Sequence, residues 1–372
     1  MKKIAIITSM NGGLNFGNSL QNYALTMTLK NLDNDVYTIA DLYKTFHKPF
    51  SWITWILENK IKTYIAILLN YNRQADFLNQ SIKAQKAFLE FDEEYLQLDF
   101  NFCRKSQIIE NVDKYDMYIA GSDQIWKTYS DNGIKLLTFA PKEKSVSYAA
   151  SFGKDNINTN EKIKYIKALE NIKYISVREE AGAKIIKNLI GIKVPVHVDP
   201  TLLLNKDEWV KIMKKPYYNK INEKYLLTYF LGYKNKCLKN TINRFAKEYN
   251  LKIINLVDRD EPEWLNLGPC EFLYMIYNSS LFFTDSFHGT VFSIIFNKFF
   301  VVTNRINKGS NKMSSRIDTL LSKFNLENRR GTIENNYCKD NLFEINYDNI
   351  DEILEEEKKK SINYLKTALN IK

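Results

Sequence analysis

Apolar residues in this chain cluster in short β-branched runs, and between them stand longer segments whose apolar positions recur at helical spacing. KIAIITS (3–9) is the first run. A glycine-containing loop follows, then SLQNYALTMTLKNL (19–32), where Leu20, Tyr23, Ala24, Met27 and Leu32 lie near a helical period. DVYTIA (35–40) is the next run, so the chain opens strand–helix–strand, as in a parallel α/β sheet. A helical region over 51–98 interrupts the alternation, and MYIAGSDQIW (117–126) resumes it with a strand ending at Gly121. Strands are expected within 144–153 and over 174–179, helices over 160–172 and 180–189, and PVHVDPTLLL (195–204) closes this half. After the polar stretch 205–224 the alternation restarts, with strands over 225–232, 251–257, 281–285 and 298–304 and helices over 235–250, 268–280 and 289–297. The tail 347–370 reads as a long helix whose pairs Glu355–Lys359 and Glu356–Lys360 mark a solvated face.

Two successive alternations predict the fold class: α/β, two Rossmann-like doubly wound domains facing a cleft, with a long C-terminal helix. The expected limits are 1–204, with a helical insertion at about 45–98, then 222–345, then 346–372. A length of 372 residues exceeds what one core usually sustains, which also favours two domains. Ligand is expected between them, at the carboxyl ends of the strands.

Charge narrows the partner. A formal net charge of +10 implies an anionic one: nucleic acid, an acidic membrane surface or a phosphorylated small molecule. The lysines are dispersed and no compact nucleic-acid motif appears, so no nucleic acid is expected. Cys103, Cys237, Cys270 and Cys338 form no CxxC pair, and His47, His197 and His288 are not at ligand spacing, so no metal site is expected. The apolar run at the N-terminus is too short for a signal sequence and reads as a buried strand, and nothing is long enough to span a membrane. The expected compartment is the cytoplasm. Segment 48–73 combines Trp52 and Trp55 with a basic side; it reads either as a helix pair packed on its own domain or as a surface resting on acidic lipid at the inner face of the membrane.

Polar residues at strand ends supply the candidate chemistry. His288 stands at the turn between the run LFFTDSF and the segment GTVFSIIF. If that segment is a helix, the amides of Gly289 and Thr290 at its start could hold a phosphate or carboxylate, with Ser286 beside them and His288 in reach as a proton donor. Ser122, Asp123 and Gln124 follow the strand 117–121, where they serve either as ligand contacts or as an N-cap. Gly17, Asn18 and Gln21 lie at the first strand-to-helix turn, though in neither a GxGxxG nor a Walker pattern. Arg178 ends a strand as a solvated ion pair or as a fork for a carboxylate. Ser314, Ser315 and Arg316 precede an apolar helix as a cap or an anion clamp.

Seven segments, NFGNSLQNYAL, YIAGSDQIW, SYAASFG, SVREEAG, HVDPTLLL, DSFHGTVFSIIFNKFF and SSRIDTLL, occur in this order across residues 15–321. Together they resemble the polysaccharide pyruvyl transferase family. The resemblance implies a glycosyltransferase-B-like fold, with the N-terminal domain as acceptor side and the C-terminal domain as donor side. It also implies transfer of pyruvate from phosphoenolpyruvate to a sugar of a surface polysaccharide or cell-wall glycan precursor, as a cyclic ketal, with no cofactor beyond the donor. The acceptor would be a glycan, sugar nucleotide or lipid-linked saccharide. The family histidine lies in an arginine–leucine–histidine–glycine or serine–phenylalanine–histidine–glycine turn, matched here by Ser286–Phe287–His288–Gly289. The resemblance therefore makes His288 the general acid and Arg178 the arginine that grips phosphoenolpyruvate. Where some members carry arginine two residues before the histidine, this chain has Ser286, so the charge for the phosphate must come from elsewhere, with Arg316 or Arg305 as candidates.

Two other readings stay open. One is a nucleotide-sugar glycosyltransferase on the same fold, with Glu261 or Glu271 holding the ribose. The other is a non-catalytic glycan-binding protein. Geometry separates them: catalysis requires His288, Arg178 and Asp123 to face one site.

Overall fold

The structure is a computed structural model. It describes residues 1–9, 15–39, 57–58, 60–62, 64–65, 72–102, 105–129, 133–217, 221, 223–258, 261, 264–306, 315–331 and 342–371. Most of the segment 48–73, the loop after the first strand, Ser314, His47, Cys103 and Cys338 lie outside the described residues.

The N-terminal half contributes β1 (Lys3–Ile7), α1 (Phe16–Lys30), β2 (Asp35–Ile39), α2 (Asn72–Tyr95), β3 (Leu98–Asp99), α3 (Lys105–Asn111), β4 (Met117–Ala120), β5 (Ser145–Ser147), α4 (Lys162–Glu170) and α5 (Glu180–Ile190). Its strands form a five-stranded sheet of order β3-β2-β1-β4-β5, parallel throughout. After α6 (Lys206–Lys211) come β6 (Tyr225–Tyr229), α7 (Lys236–Glu248), β7 (Lys252–Leu256), α8 (Pro269–Asn278), β8 (Leu281–Thr284), α9 (Phe287–Ile295), β9 (Phe300–Thr303), α10 (Ser315–Lys323) and β10 (Arg330–Gly331). They build a second parallel sheet of order β10-β9-β8-β6-β7. A long helix, α11 (Tyr347–Leu369), ends the described chain.

Both sheets reverse direction at their first strand. The chain leaves β1 toward β2 on one side and returns to β4 on the other; β6, β7 and β8 repeat this. A crevice opens at the carboxyl ends of strands flanking such a switch. The described ends there are Thr8 after β1, Ser122 after β4, Leu231 after β6 and Asp285 after β8.

One apolar core runs through both halves. Helix α1 is buried around most of its circumference, unlike a surface helix. Phe16 at its start stacks on Phe272 of α8 with centroids 4.3 Å apart, and Tyr23 packs on Trp209 of α6 at 5.5 Å. Helix α6 is anchored by a capping box between Asn205 and Glu208 inside the expected boundary stretch.

Three local expectations change. The expected strand 174–179 makes only isolated bridges, Val146 with Tyr174, Ala150 with Val177, and Val177 with Val196. Serine hydroxyls interleave with the backbone bonds there: the Ser176 amide donates to Ser147 Oγ at 3.1 Å, and the Ala149 amide to Ser176 Oγ at 3.0 Å. Strands β3 and β10, two residues each, complete the sheet edges without a run long enough to announce them. The charged face of α11 is not all solvated, since Glu357 is buried and paired with Lys323.

Helix α11 crosses back to the first half, where Tyr364 donates to Ser147 O at 2.8 Å and Ser361 Oγ lies 3.3 Å from His197 Nδ1. Burial, then the Lys323 charge, push the His197 imidazole down to about 4 from its ordinary 6.5. The unfolded chain takes up this proton near the ordinary value and the folded chain only near 4, so between them the unfolded state binds more protons. The stability concerned is present above the ordinary value and is lost as pH falls through that window, about 3 kcal/mol in full. His197→Gln should therefore flatten the decline of urea-unfolding free energy between about pH 7 and pH 4. Parallel pH profiles for the two proteins would refute this.

Candidate active site at the domain junction

The site is assembled from the switch-point ends of both sheets. From the first half, β4 delivers Ser122 and Asp123, the extended segment before α5 delivers Arg178, and the turn Pro200–Leu202 is capped by Asp199, whose side chain accepts from the Thr201 amide at 3.1 Å. From the second half, the first turn of α9 delivers Phe287 and His288, and the first turn of α10 delivers Arg316. All are at least nine-tenths buried: Asp199 is 1% exposed, Arg178 4%, His288 6%, Arg316 7% and Asp123 8%.

Arg178 is the hub. Its Nη1 donates to Asp199 Oδ2 at 2.5 Å and its Nη2 to Asp123 Oδ1 at 3.3 Å, while the guanidinium carbon sits 4.3 Å from the centre of the Phe287 ring. Arg316 approaches the same oxygen of Asp123, with Nη1 3.8 Å from Oδ1 and its guanidinium carbon 5.7 Å from the Phe287 ring. His288 reaches across the junction and places Nε2 3.7 Å from Asp199 Oδ2. The Asp199 carboxylate also accepts from Thr201 Oγ1 at 2.7 Å and has Ser122 Oγ at 3.2 Å.

These charges compensate one another. Burial would raise the Asp199 carboxyl, but the His288 charge, the Arg178 guanidinium and the Thr201 hydroxyl outweigh it and hold the group far below the usual carboxylate range. Asp123 is likewise held low, against its burial, by Arg178, His288 and Arg316. Arg316 is less well matched: burial and then Arg178 push its guanidinium down to about 10. Several buried polar atoms around this cluster have no hydrogen-bond partner: Arg178 Nε, Arg316 Nε, His288 Nε2, Gln124 Nε2, Asn18 Oδ1 and Glu179 Oε2. Buried polar groups are rarely left so, and donors predominate among these, which suits an anionic, oxygen-rich ligand.

The remaining sequence candidates divide by role. Gln21 is a brace: it donates to Thr8 Oγ1 at 2.7 Å and accepts from the Ser122 amide at 3.0 Å, tying α1 to β1 and β4. Gly17 leaves room for His288, because a Cβ at this position would lie 2.0 Å from Nδ1. The α9 turn departs from expectation. The helix starts at Phe287, so Ser286 is its N-cap, accepting from the Gly289 amide at 3.2 Å, and the Thr290 amide donates to Ser286 O at 3.0 Å. Both amides expected to hold an anion are thus used inside the helix. Ser315 is the first residue of α10, half-buried beside Arg316. Arg305 sits next to Asp285, Nε to Oδ2 3.6 Å, rather than in the Arg178 cluster. Glu271 is spent on a capping contact with the Gly268 amide at 3.0 Å, and Glu261 pairs with Asn255.

Sequence reasoning missed Asp199. Its one available signal is an aspartate before proline at the end of an apolar run, which by itself reads as an ordinary turn. The buried cluster makes a specific stability prediction. Arg178→Ala strips the hub from three buried carboxylates, Asp199, Asp123 and Glu179, whose Oε2 lies 4.0 Å from Nε, and should cost about 3–5 kcal/mol in equilibrium denaturation. Arg316→Ala removes a poorly compensated charge and should cost less than half as much. Equal losses would contradict this division.

The geometry can now be set beside known proteins. No curated protein sequence matches the chain significantly. Among solved structures, S. aureus MnaA in a co-structure with UDP superposes over 100% of this chain and 98% of its own, with 14% identity and a TM-score of 0.51. A putative UDP-N-acetylglucosamine 2-epimerase from Listeria monocytogenes covers 98% of this chain and 91% of its own, with 10% identity and a TM-score of 0.48. The first likeness, at 14% identity, speaks for the fold alone, two parallel-sheet α/β domains of glycosyltransferase-B type. A sequence model of polysaccharide pyruvyl transferase matches residues 15–305, a span that contains Asp123, Arg178, Asp199 and His288 and stops short of Arg316. The chain belongs to the polysaccharide pyruvyl transferase family.

Proposed function

We propose that the protein transfers the pyruvyl group of phosphoenolpyruvate to two hydroxyls of one sugar in a glycan or glycan precursor, giving a cyclic ketal and inorganic phosphate. The observation that carries this reading is the meeting of His288, from the second half, with Arg178, from the first, inside one buried cluster that Arg316 completes.

The donor bears a carboxylate and a phosphate, and two guanidiniums flank the Phe287 ring to match them. Arg178, held by Asp199, Asp123 and the more distant Glu179, takes the donor carboxylate. Arg316, whose charge is under-compensated, takes the phosphate and supplies what an arginine at position 286 would bring. A serine at 286 instead caps α9, a role arginine fills poorly. His288 then protonates the methylene carbon, a general-acid step. The adjacent carbon becomes an oxocarbenium-like centre, a sugar hydroxyl adds to it, and a second hydroxyl displaces phosphate and closes the ring. The guanidiniums, already oriented, stabilise charge on the departing phosphate without reorganisation.

A lipid-linked acceptor at a membrane face accords with the described part of segment 48–73. Leu57, Ile61, Tyr64 and Ile65 are exposed at helical spacing, beside exposed Lys60 and Lys62. Flotation with anionic vesicles should carry the protein upward, and neutral vesicles should not; no difference between them would remove this element.

Phosphate release from phosphoenolpyruvate, measured against a panel of glycan acceptors, tests the reaction. His288→Ala should lower acceptor-dependent release on the order of 10²-fold or more. Arg316→Gln should raise the phosphoenolpyruvate KM about tenfold while leaving a folded protein, as expected for losing one charge-assisted contact. If calorimetry finds no binding of phosphoenolpyruvate, the reading gives way to a nucleotide-sugar transferase.

A further inference from the structure

We propose that Glu179 is the positioning residue of Arg178: sealed behind the guanidinium and anchored to the turn that follows β5, it fixes the plane in which Arg178 meets the donor. This rests on the reading above that Arg178 takes the donor carboxylate, and it adds what sets the orientation of that arginine.

Three observations support it. First, each nitrogen of the guanidinium faces a different carboxylate. Nη1 donates to Asp199 Oδ2 at 2.5 Å, Nη2 donates to Asp123 Oδ1 at 3.3 Å, and Nε lies 4.0 Å from Glu179 Oε2. Two contacts at the Nη tips define only an axis, about which a planar group can still tilt. A third charge at Nε, off that axis, and the Phe287 ring 4.3 Å away leave one orientation. Arg178 Nε and Glu179 Oε2 are a donor and an acceptor, both buried and both without a hydrogen-bond partner, and at 4.0 Å they attract as charges.

Second, Glu179 is itself fixed. Its Oε1 accepts from Ser151 Oγ at 2.9 Å, the Phe152 amide at 3.0 Å and the Gly153 amide at 3.4 Å. The same turn grips the rest of the hub: the Ser151 amide donates to Asp123 O at 3.0 Å, and the Arg178 amide to Ala150 O at 3.3 Å. Gly153 closes the turn at φ +60°, a conformation that glycine takes without strain. Residues 150–153 thus hold the arginine and two of its three carboxylates as one unit of the first half. Third, Glu179 is sealed from substrate. It is 0% exposed, and although it is the N-cap residue of α5 its side chain caps no amide of that helix. The carboxylate turns to the hub instead. Burial raises it, and the Arg178 charge is the first of the interactions that oppose this.

The consequence for the donor is geometric. With one hydrogen of each Nη given to Asp199 and Asp123, the guanidinium keeps a second hydrogen on each. The plane of the group sets where these point, and a carboxylate is gripped well only when it lies in that plane. Losing Glu179 leaves the charge of Arg178 in place and spoils its direction.

A double-mutant cycle tests this. Glu179→Gln keeps an oxygen for Ser151 and the two amides and replaces the charge beside Nε with an amide. It should raise the calorimetric Kd for phosphoenolpyruvate about tenfold, as expected for one charge-assisted contact. Arg178→Lys keeps a charge among the carboxylates without the plane. In that background Glu179→Gln should change Kd by less than about twofold, because its effect runs through the guanidinium. A merely structural role makes the two losses add, and additive losses overturn the proposal. A second measurement needs no substrate. In proton–nitrogen spectra of the full chain labelled with ¹⁵N-arginine, the Arg178 Nε–H is the resonance lost in Arg178→Lys. It should exchange slowly with water in the wild type and about tenfold faster in Glu179→Gln. Unchanged exchange in a folded Glu179→Gln protein overturns the proposal. If that variant does not fold, Ser151→Ala, which removes one donor from Oε1, takes its place under the same criterion. If the wild type binds no phosphoenolpyruvate, the reading of the reaction fails, and the exchange rates still decide the role of Glu179.

Discussion

The contact on which the site depends is the buried ion pair between Arg178 and Asp199. Taking either charge out of water alone would cost several kcal/mol, so each is tolerated only because the other is placed against it. Asp199 in turn faces His288 from the other half of the molecule, and Arg178 lies over Phe287 beside it. The pair therefore does two things at once. It neutralises a desolvated pocket, and it fixes where the second half must dock.

Positive charge reaches this site from two elements, the segment before α5 and the first turn of α10. Serine at position 286 caps α9 and takes the Gly289 amide, so the helix start is occupied by its own side chain. Arg316 brings a guanidinium to within 3.8 Å of Asp123 from a different helix and from beyond the span that carries the family match. Electrostatic demand is set by position in space, and a guanidinium meets it from whichever element can reach. Two parallel sheets with switch points facing one another provide a crevice, while the residues at the strand ends decide its chemistry.

Much of the architecture was readable before any coordinates. Short buried strands alternating with amphipathic helices carry the strongest local signal available, and their repetition after residue 224 implied two sheets. The segment 174–179 makes only isolated bridges, with the hydroxyls of Ser176 and of Ser147 in β5 among its backbone contacts, a difference that looks the same in a pattern of apolar residues. The edge strands β3 and β10 are too short to rise above noise. Arg178, Asp123 and His288 were visible as polar residues at strand ends, and their order along the chain carried the family resemblance. Asp199, by contrast, was visible only as part of a quoted motif.

The sequence by itself determined the strand–helix alternation, the polar residues offered at each strand end and the glycine at position 17, because these follow from periodicity and local chemistry over a few residues. Only the tertiary structure decided which of those ends meet. His288 and Asp199 are 89 residues apart in the chain yet 3.7 Å apart in space. It also decided that the amides of Gly289 and Thr290 are spent inside α9, and that Gln21 braces the strands while Arg316 enters the cluster and Arg305 does not. The physical reason is that burial and Coulomb interaction depend on distance through the fold, which no local pattern encodes.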